Sequence, residues 1–287
     1  RPARLATTST RRIDATVAVS GRAMLTAHLE RGAGRLRYAV SGRSHGPALL
    51  LLHPLGAALE VWQPQLPELE QRFRVVRMDL RGHGGSTLAD GPPAPCSMAD
   101  LLDDACAVLD ALDIARAHWC GLSLGGAIAM QAAVTAPQRV RRLVLADTAA
   151  SFPPRERWDE RIATVQGGGM EPLVEPILQR WFTAPFMAAS PDAVETVRAL
   201  LRATQPRGYA EACDALRGFD LTARLGEVRA PTLVIAGAQD VSTPTERAEE
   251  LADGIAGAGL EVLDAAHLSN VEQAADFTAA SVRFLAD

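Results

Sequence analysis

Residues 117–134 read AHWCGLSLGGAIAMQAAV, and the division of this stretch decides the fold. Its first four residues, AHWC, form a short apolar run that reads as a strand. Residues 127–137 (AIAMQAAVTAP) read as a helix that stops before Pro137, because a proline disfavours helical backbone at the residue preceding it. Between the two lies Gly121-Leu122-Ser123-Leu124-Gly125, a G-x-S-x-G pattern. Strand, tight turn and helix is the setting this pattern needs. The central serine is forced into a strained turn, so its neighbours must be glycines for strand and helix to approach. The hydroxyl then projects above the sheet, at the positive end of a helix.

Working outward, further buried or half-buried strands are expected at 36–42 (LRYAVSG), 48–56 (ALLLLHPLG), 73–82 (FRVVRMDLRG), 140–150, 229–240 and 259–267. Residues 101–112 carry Leu101, Leu102, Ala105, Val108, Leu109 and Leu112 on one side of a helix. Short buried strands alternating with helices mean an α/β architecture, a mostly parallel sheet covered on both faces. The alternation breaks at 151–222, which has helical segments and no β-branched run. The expected organisation is a core of 33–150 and 223–287, with a helical cap at 151–222 inserted between two core strands. Such an insertion would lie over the carboxyl ends of the strands, where α/β sheets bind ligands. Residues 1–32 open with RPARLATTSTRR, four arginines and no acid, and IDATVAVSG is too short and polar for a signal sequence. They are expected to form a loosely ordered basic tail.

Composition narrows the function. With 287 residues, 48% hydrophobic and 22% charged, the chain suits one large domain or a domain with an inserted subdomain. A net charge of −5 supplies no basic field for a polyanion, so no nucleic-acid partner is expected. No apolar run reaches the roughly 18 residues of a membrane span. The four cysteines, Cys96, Cys106, Cys120 and Cys213, form no CxxC pair; free thiols and a reducing cytoplasm are expected. The sequence carries no sign of an oligomeric state.

A serine hydroxyl is a poor nucleophile without a base to take its proton. In hydrolases built on the strand–turn–helix motif, the acid and then the histidine follow the serine along the chain. Here Asp240 ends TLVIAGAQD, and His267 lies in DAAHLSNVEQ, just past the strand LEVL. His267 would take the Ser123 proton, and Asp240 would fix the imidazole tautomer. Asp147, after LVLA, is the competing acid, and Asp264 lies too close to His267 in sequence. His83, in DLRGHGGS, reads as structural. No HxH or HExxH pair exists among the six histidines, so no metal site is expected. Two backbone donors should face the developing oxyanion: the amide of Leu124, after the nucleophile, and one from HPLG at 53–56. Pro54 has no N–H, which leaves Leu55.

HPLG…W, DLRGHGGS, GLSLGG, LVIAGAQD and DAAHLSNVEQ occur in that order, and over residues 33–287 the chain resembles the α/β-hydrolase superfamily. CGLSLGG, RRLVLADTAA and AAHLSNVEQ resemble most closely the 3-oxoadipate enol-lactonases. The resemblance implies cofactor-free opening of an enol-lactone to a 3-oxo dicarboxylate. It carries over Ser123, Asp240 and His267 as a triad and Leu55 and Leu124 as oxyanion donors. At 53–56 the chain departs from it, with His-Pro-Leu-Gly where that family more often has Asn-Ser-Leu-Gly. The expected partner is a small ester or lactone, with a carboxylate read by the cap. Trp158, Arg161, Arg180 and Trp181 are the candidate contacts, among cap arginines that include Arg157, Arg202 and Arg207. The alternatives are a broad carboxylesterase or lactonase, a C–C bond hydrolase of the same fold, and a non-catalytic small-molecule receptor.

Overall fold

A computed structural model describes residues 11–19, 22–32, 34–91 and 95–286. Its strands are β1 (Arg11–Val19), β2 (Arg22–Arg31), β3 (Gly34–Gly42), β4 (Ala48–Leu52), β5 (Arg74–Met78), β6 (Ala117–Leu122), β7 (Val140–Ala146), β8 (Thr232–Gly237) and β9 (Gly259–Leu263). The helices of the core are α1 (Leu66–Leu69), α2 (Met98–Ala111) and α3 (Leu124–Thr135). Those between β7 and β8 are α4 (Glu156–Gly168), α5 (Glu171–Trp181), α6 (Ala184–Ala189), α7 (Pro191–Ala203) and α8 (Pro206–Arg217). The chain closes with α9 (Thr245–Gly254), α10 (Ser269–Glu272) and α11 (Ala274–Ala286).

The strands form one sheet in the order β1-β2-β3-β5-β4-β6-β7-β8-β9. From β5 to β9 every pairing is parallel; β1, β2 and β3 extend the sheet antiparallel. β6 and β8 are buried along their whole length, as strands covered on both faces must be. The strand order reverses around β4, which lies between β5 and β6. A crevice forms at such a reversal, above the carboxyl ends of the strands. Leu55 follows β4 and Ser123 follows β6, so both rise beside it.

The amino-terminal segment corrects the sequence reading. Residues 11–19 and 22–31 are paired strands of the main sheet rather than a loose tail, so the core begins well before residue 33. Residues 1–10 lie outside the described residues. Without these strands, β3 would be an open edge with unpaired backbone groups. β2 instead pairs with β3 from Leu25↔Val40 to Arg31↔Gly34, and buries Ala27 and Leu29.

The insertion leaves and re-enters the core at one point. Leu221 N–H donates to Ala150 O at 2.8 Å, and Ser151 bridges Asp220. Two further contacts bind the inserted helices to core loops. Gln205 N–H donates to Gly82 O at 3.0 Å, and Gly208 lies so close to Gly82 that a Cβ there would meet the other's Cα at 2.5 Å. Thr204 Oγ1–H donates to Gly56 O at 3.0 Å. Among the described residues no helix is long and apolar enough to cross a membrane. All four cysteines are free.

Buried histidines make stability depend on pH, His53 and His83 the most completely enclosed among them. Burial pushes His53 down to about 4 and His83 to about 3. In the unfolded chain both titrate near 6.5, so below that pH the unfolded state binds more protons and folding weakens. The stabilisation is complete above about 6.5 and is lost as pH falls toward the folded values. Each histidine should remove roughly 2 kcal/mol between about pH 6.5 and pH 5. Denaturant melts at these two pH values are expected to show the loss, and His83→Phe to lose less than the wild-type protein does.

Candidate active site

Ser123 sits at the turn between β6 and α3 with φ 54° and ψ −112°. This left-handed backbone costs an L-residue on the order of 1–3 kcal/mol, and the surroundings must hold it. Ser123 N–H donates to Ala146 O at 2.9 Å, and Thr148 Oγ1–H donates to Ser123 O at 2.7 Å. The flanking glycines are sterically required. A Cβ on Gly121 would lie 2.1 Å from Gly125 O, and a Cβ on Gly125 would lie 2.1 Å from Leu52 O. The G-x-S-x-G spacing therefore follows from the packing of α3 against β6 and β4.

His267 Nδ1–H donates to Asp240 Oδ2 at 2.7 Å, with both residues buried. The aspartate is fixed in turn. Its Oδ1 accepts from Ser242 N–H (2.7 Å) and Thr243 N–H (3.0 Å), and its Oδ2 also accepts from Thr243 Oγ1–H (2.7 Å). Burial alone would raise the Asp240 carboxyl. The adjoining His267 charge, and the hydrogen bonds from His267 and Thr243, outweigh burial and hold it below its usual value. With Nδ1 committed to Asp240, Nε2 is the ring nitrogen left for a reacting group. His267 and Ser123 line the same cavity.

The competing acid is placed elsewhere. Asp147 accepts from Gly237 N–H (2.9 Å) and Ser269 Oγ–H (2.5 Å), and its partners do not include the imidazole. Burial and the neighbouring Asp240 charge push its carboxyl well above the ordinary range. Asp147 thus ties the ends of β7 and β8 to the segment that carries His267.

Leu55, Ser123, Trp158, Arg161, Arg180, Trp181 and His267 line one cavity beneath the inserted helices. Asp240 stands behind His267. Leu124 opens α3, so its amide has no carbonyl four residues earlier within the helix. The Leu55 amide makes no backbone hydrogen bond among the described residues. Trp158 and Trp181 are walls: the Trp158 indole N–H donates to Phe152 O at 2.7 Å, and the Trp181 ring lies 6.1 Å from the His267 ring.

Arg157 joins Arg161 and Arg180 in this wall. Arg157 and Arg161 lie over the Trp158 ring, with their guanidinium carbons 5.1 and 5.3 Å from its centroid. Arg161 donates to Tyr209 Oη at 3.2 Å, and Arg180 makes a long 3.4 Å bond to Val241 O. The buried Nε atoms of Arg157 and Arg180 have no hydrogen-bond partner. Among the described residues none of the three forms an ion pair. Burial, then the charges of Arg161 and Arg180, push Arg157 down to about 10. Two other cap arginines are occupied outside the cavity, Arg202 with Glu171 and Arg207 with Glu211. Sequence reading did not single out Thr243 or Thr148. An Asx-turn signal, Asp240 followed by Ser242 and Thr243, was present for the first.

The wider comparisons agree with this architecture. The family model described as alpha/beta hydrolase fold matches residues 47–274. The chain is 37% identical to 3-oxoadipate enol-lactonase 2 of Acinetobacter baylyi, over 83% of this chain and 88% of that protein. A crystal structure of a hydrolase from Pseudomonas aeruginosa PA01 superposes with a TM-score of 0.87 at 42% identity, covering 91% of this chain and 98% of the other. The enol-lactonase from Burkholderia xenovorans LB400 also gives 0.87, at 36% identity, with 91% and 100% covered.

Proposed function

Because the chain belongs to the α/β-hydrolase fold family, we propose that it is a serine hydrolase that opens a carboxylate-bearing enol-lactone through an acyl-enzyme. Ser123 is the nucleophile, His267 the general base and acid, and Asp240 the group that orients and charges the imidazole. Ser123 Oγ attacks the lactone carbonyl while His267 Nε2 takes its proton. The carbonyl oxygen, now anionic, faces the amides of Leu55 and Leu124; one such donor is worth roughly 10²–10³ in rate. The ring C–O bond breaks, the leaving oxygen takes the proton from His267 Nε2, and the resulting enol, a good leaving group, stays tethered within the acyl chain. Water, deprotonated by His267, then hydrolyses the ester and frees Ser123. The enol becomes the 3-oxo group of an open-chain dicarboxylate. No step calls for a cofactor.

The observation that carries the substrate class is the set of arginines 157, 161 and 180. Three guanidiniums line one cavity, none of them forms an ion pair among the described residues, and the Nε atoms of Arg157 and Arg180 have no hydrogen-bond partner. Like charges packed together under burial are unfavourable, and an anionic ligand relieves both repulsion and unsatisfied donors. Sequence similarity to proteins named as enol-lactonases supports the lactone. A charge-assisted hydrogen bond is worth about 1.5–3 kcal/mol, so Arg180→Met should raise KM for 3-oxoadipate enol-lactone by roughly 10- to 100-fold. The same change should alter KM for uncharged p-nitrophenyl acetate less than about threefold. Equal effects on both would remove the carboxylate-reading role.

The experiment that tests the reading follows the ultraviolet absorbance of 3-oxoadipate enol-lactone beside turnover of the nitrophenyl ester. Fast lactone loss with poor ester turnover is expected. Good ester turnover with an untouched lactone would make the protein a broad carboxylesterase.

A further inference from the structure

The second oxyanion donor is an amide on a loop, and a loop peptide can rotate. What holds it is a histidine that the mechanism above does not use. His53 is fully buried, and its Nδ1–H donates to Pro54 O at 2.8 Å. Its Nε2 accepts from Leu80 N–H at 2.9 Å, just beyond the carboxyl end of β5. A backbone N–H can only donate, so Nε2 must be unprotonated and Nδ1 must carry the proton. Pro54 O also accepts from Ala57 N–H at 3.1 Å.

The carbonyl of Pro54 and the amide of Leu55 belong to one peptide unit. In a trans peptide the C=O and N–H point in opposite directions within a rigid plane. Whatever fixes Pro54 O therefore aims Leu55 N–H the other way. We propose that His53 is a positioning residue, a neutral strut whose Nδ1–H pins the Pro54–Leu55 peptide and aims the Leu55 amide at the oxyanion, while Leu80 N–H holds the ring in the tautomer that this needs. This rests on the serine-hydrolase reading of Ser123 and Leu55. Burial, and the nearby positive charge of Arg37, favour the uncharged imidazole that the strut needs.

Two near-isosteric replacements separate the two ends of the strut. Asparagine places an amide nitrogen close to the position of Nδ1 and keeps the bond to Pro54 O, while losing the acceptor for Leu80. Glutamine reaches the position of Nε2 and keeps the Leu80 bond, while losing the donor to Pro54 O. With p-nitrophenyl acetate, His53→Gln is expected to lower kcat roughly 10- to 100-fold with KM changed less than about threefold. The inhibition constant of a trifluoromethyl ketone, whose Ser123 adduct carries an oxyanion, should rise by the same factor. His53→Asn should keep kcat within about threefold of wild type, even with a lower melting temperature. Full activity in His53→Gln, or equal losses in both variants, would overturn the strut. Nitrogen-15 NMR of the wild-type protein tests it without any variant: the Nδ1–H tautomer is expected, and an Nε2–H tautomer would overturn it. Ser123→Ala runs beside them. Wild-type turnover there would remove the nucleophile and the oxyanion together, whereas an inactive Ser123→Ala beside a fully active His53→Gln would remove the strut alone.

Discussion

Replacing Ser123 with alanine is expected to lower kcat/KM for lactone and ester by roughly 10⁴- to 10⁶-fold, with the fold unchanged. The loss is large because Oγ forms the covalent bond; Leu55, Leu124 and the arginines remain and sustain only the residual rate of an oriented, polarised substrate. Stability should hold, because alanine suffers no more than serine at φ 54° and the Ser123 side chain makes no capping hydrogen bond. The bonds that hold the turn, Ser123 N–H to Ala146 O and Thr148 Oγ1–H to Ser123 O, do not involve the lost hydroxyl. A thermal melt beside steady-state kinetics separates the two properties. A large fall in melting temperature would mean that Oγ is structural.

The second expectation concerns Asp240→Asn, which should lower kcat by about 10⁴-fold, as the acid-to-amide change does in triads of this kind. The orientation of the new amide is dictated by its neighbours. Oδ1 of Asp240 accepts from two backbone N–H groups, of Ser242 and Thr243, and an NH2 cannot accept. The amide oxygen must therefore take the Oδ1 position, which turns the NH2 toward His267 Nδ1. Nδ1 then has to accept, the proton moves to Nε2, and the nitrogen that should take the serine proton is already protonated. Asp147→Asn is the control, since Asp147 bonds Gly237 N–H and Ser269 Oγ–H and not the imidazole. Its loss of kcat should be far smaller than that of Asp240→Asn. Equal losses in the two variants would contradict the assignment of the acid.

The α/β class was legible because buried parallel strands and glycine-flanked turns leave strong local patterns. LLLL at 49–52 and LVIAG at 233–237 are continuous apolar runs, and the glycines around Ser123 are dictated by contacts inside one strand–turn–helix unit. Serine, then acid, then histidine is equally readable, because each stands just past a strand end. The β1–β2 pair was not. Its apolar residues are mostly small and interspersed with polar ones, and its stabilisation comes from pairing with β3. Nor does sequence show that arginines 157, 161 and 180 share one wall while Arg202 and Arg207 turn to glutamates. Helical periodicity says which side a residue faces on its own helix, and not what lies opposite. His53 is a further case. Read in sequence it is one polar residue after an apolar strand; its two bonds reach one residue forward and 27 residues away.

The measurement closest to the central claim is peptide mapping after reaction with a fluorophosphonate, which forms a stable adduct with an activated serine. One adduct per chain is expected, on Ser123, with enol-lactone hydrolysis lost in proportion to labelling. No adduct is expected in Asp240→Asn at the same exposure. An adduct on a different residue, or lactone hydrolysis persisting in fully labelled protein, would contradict that claim.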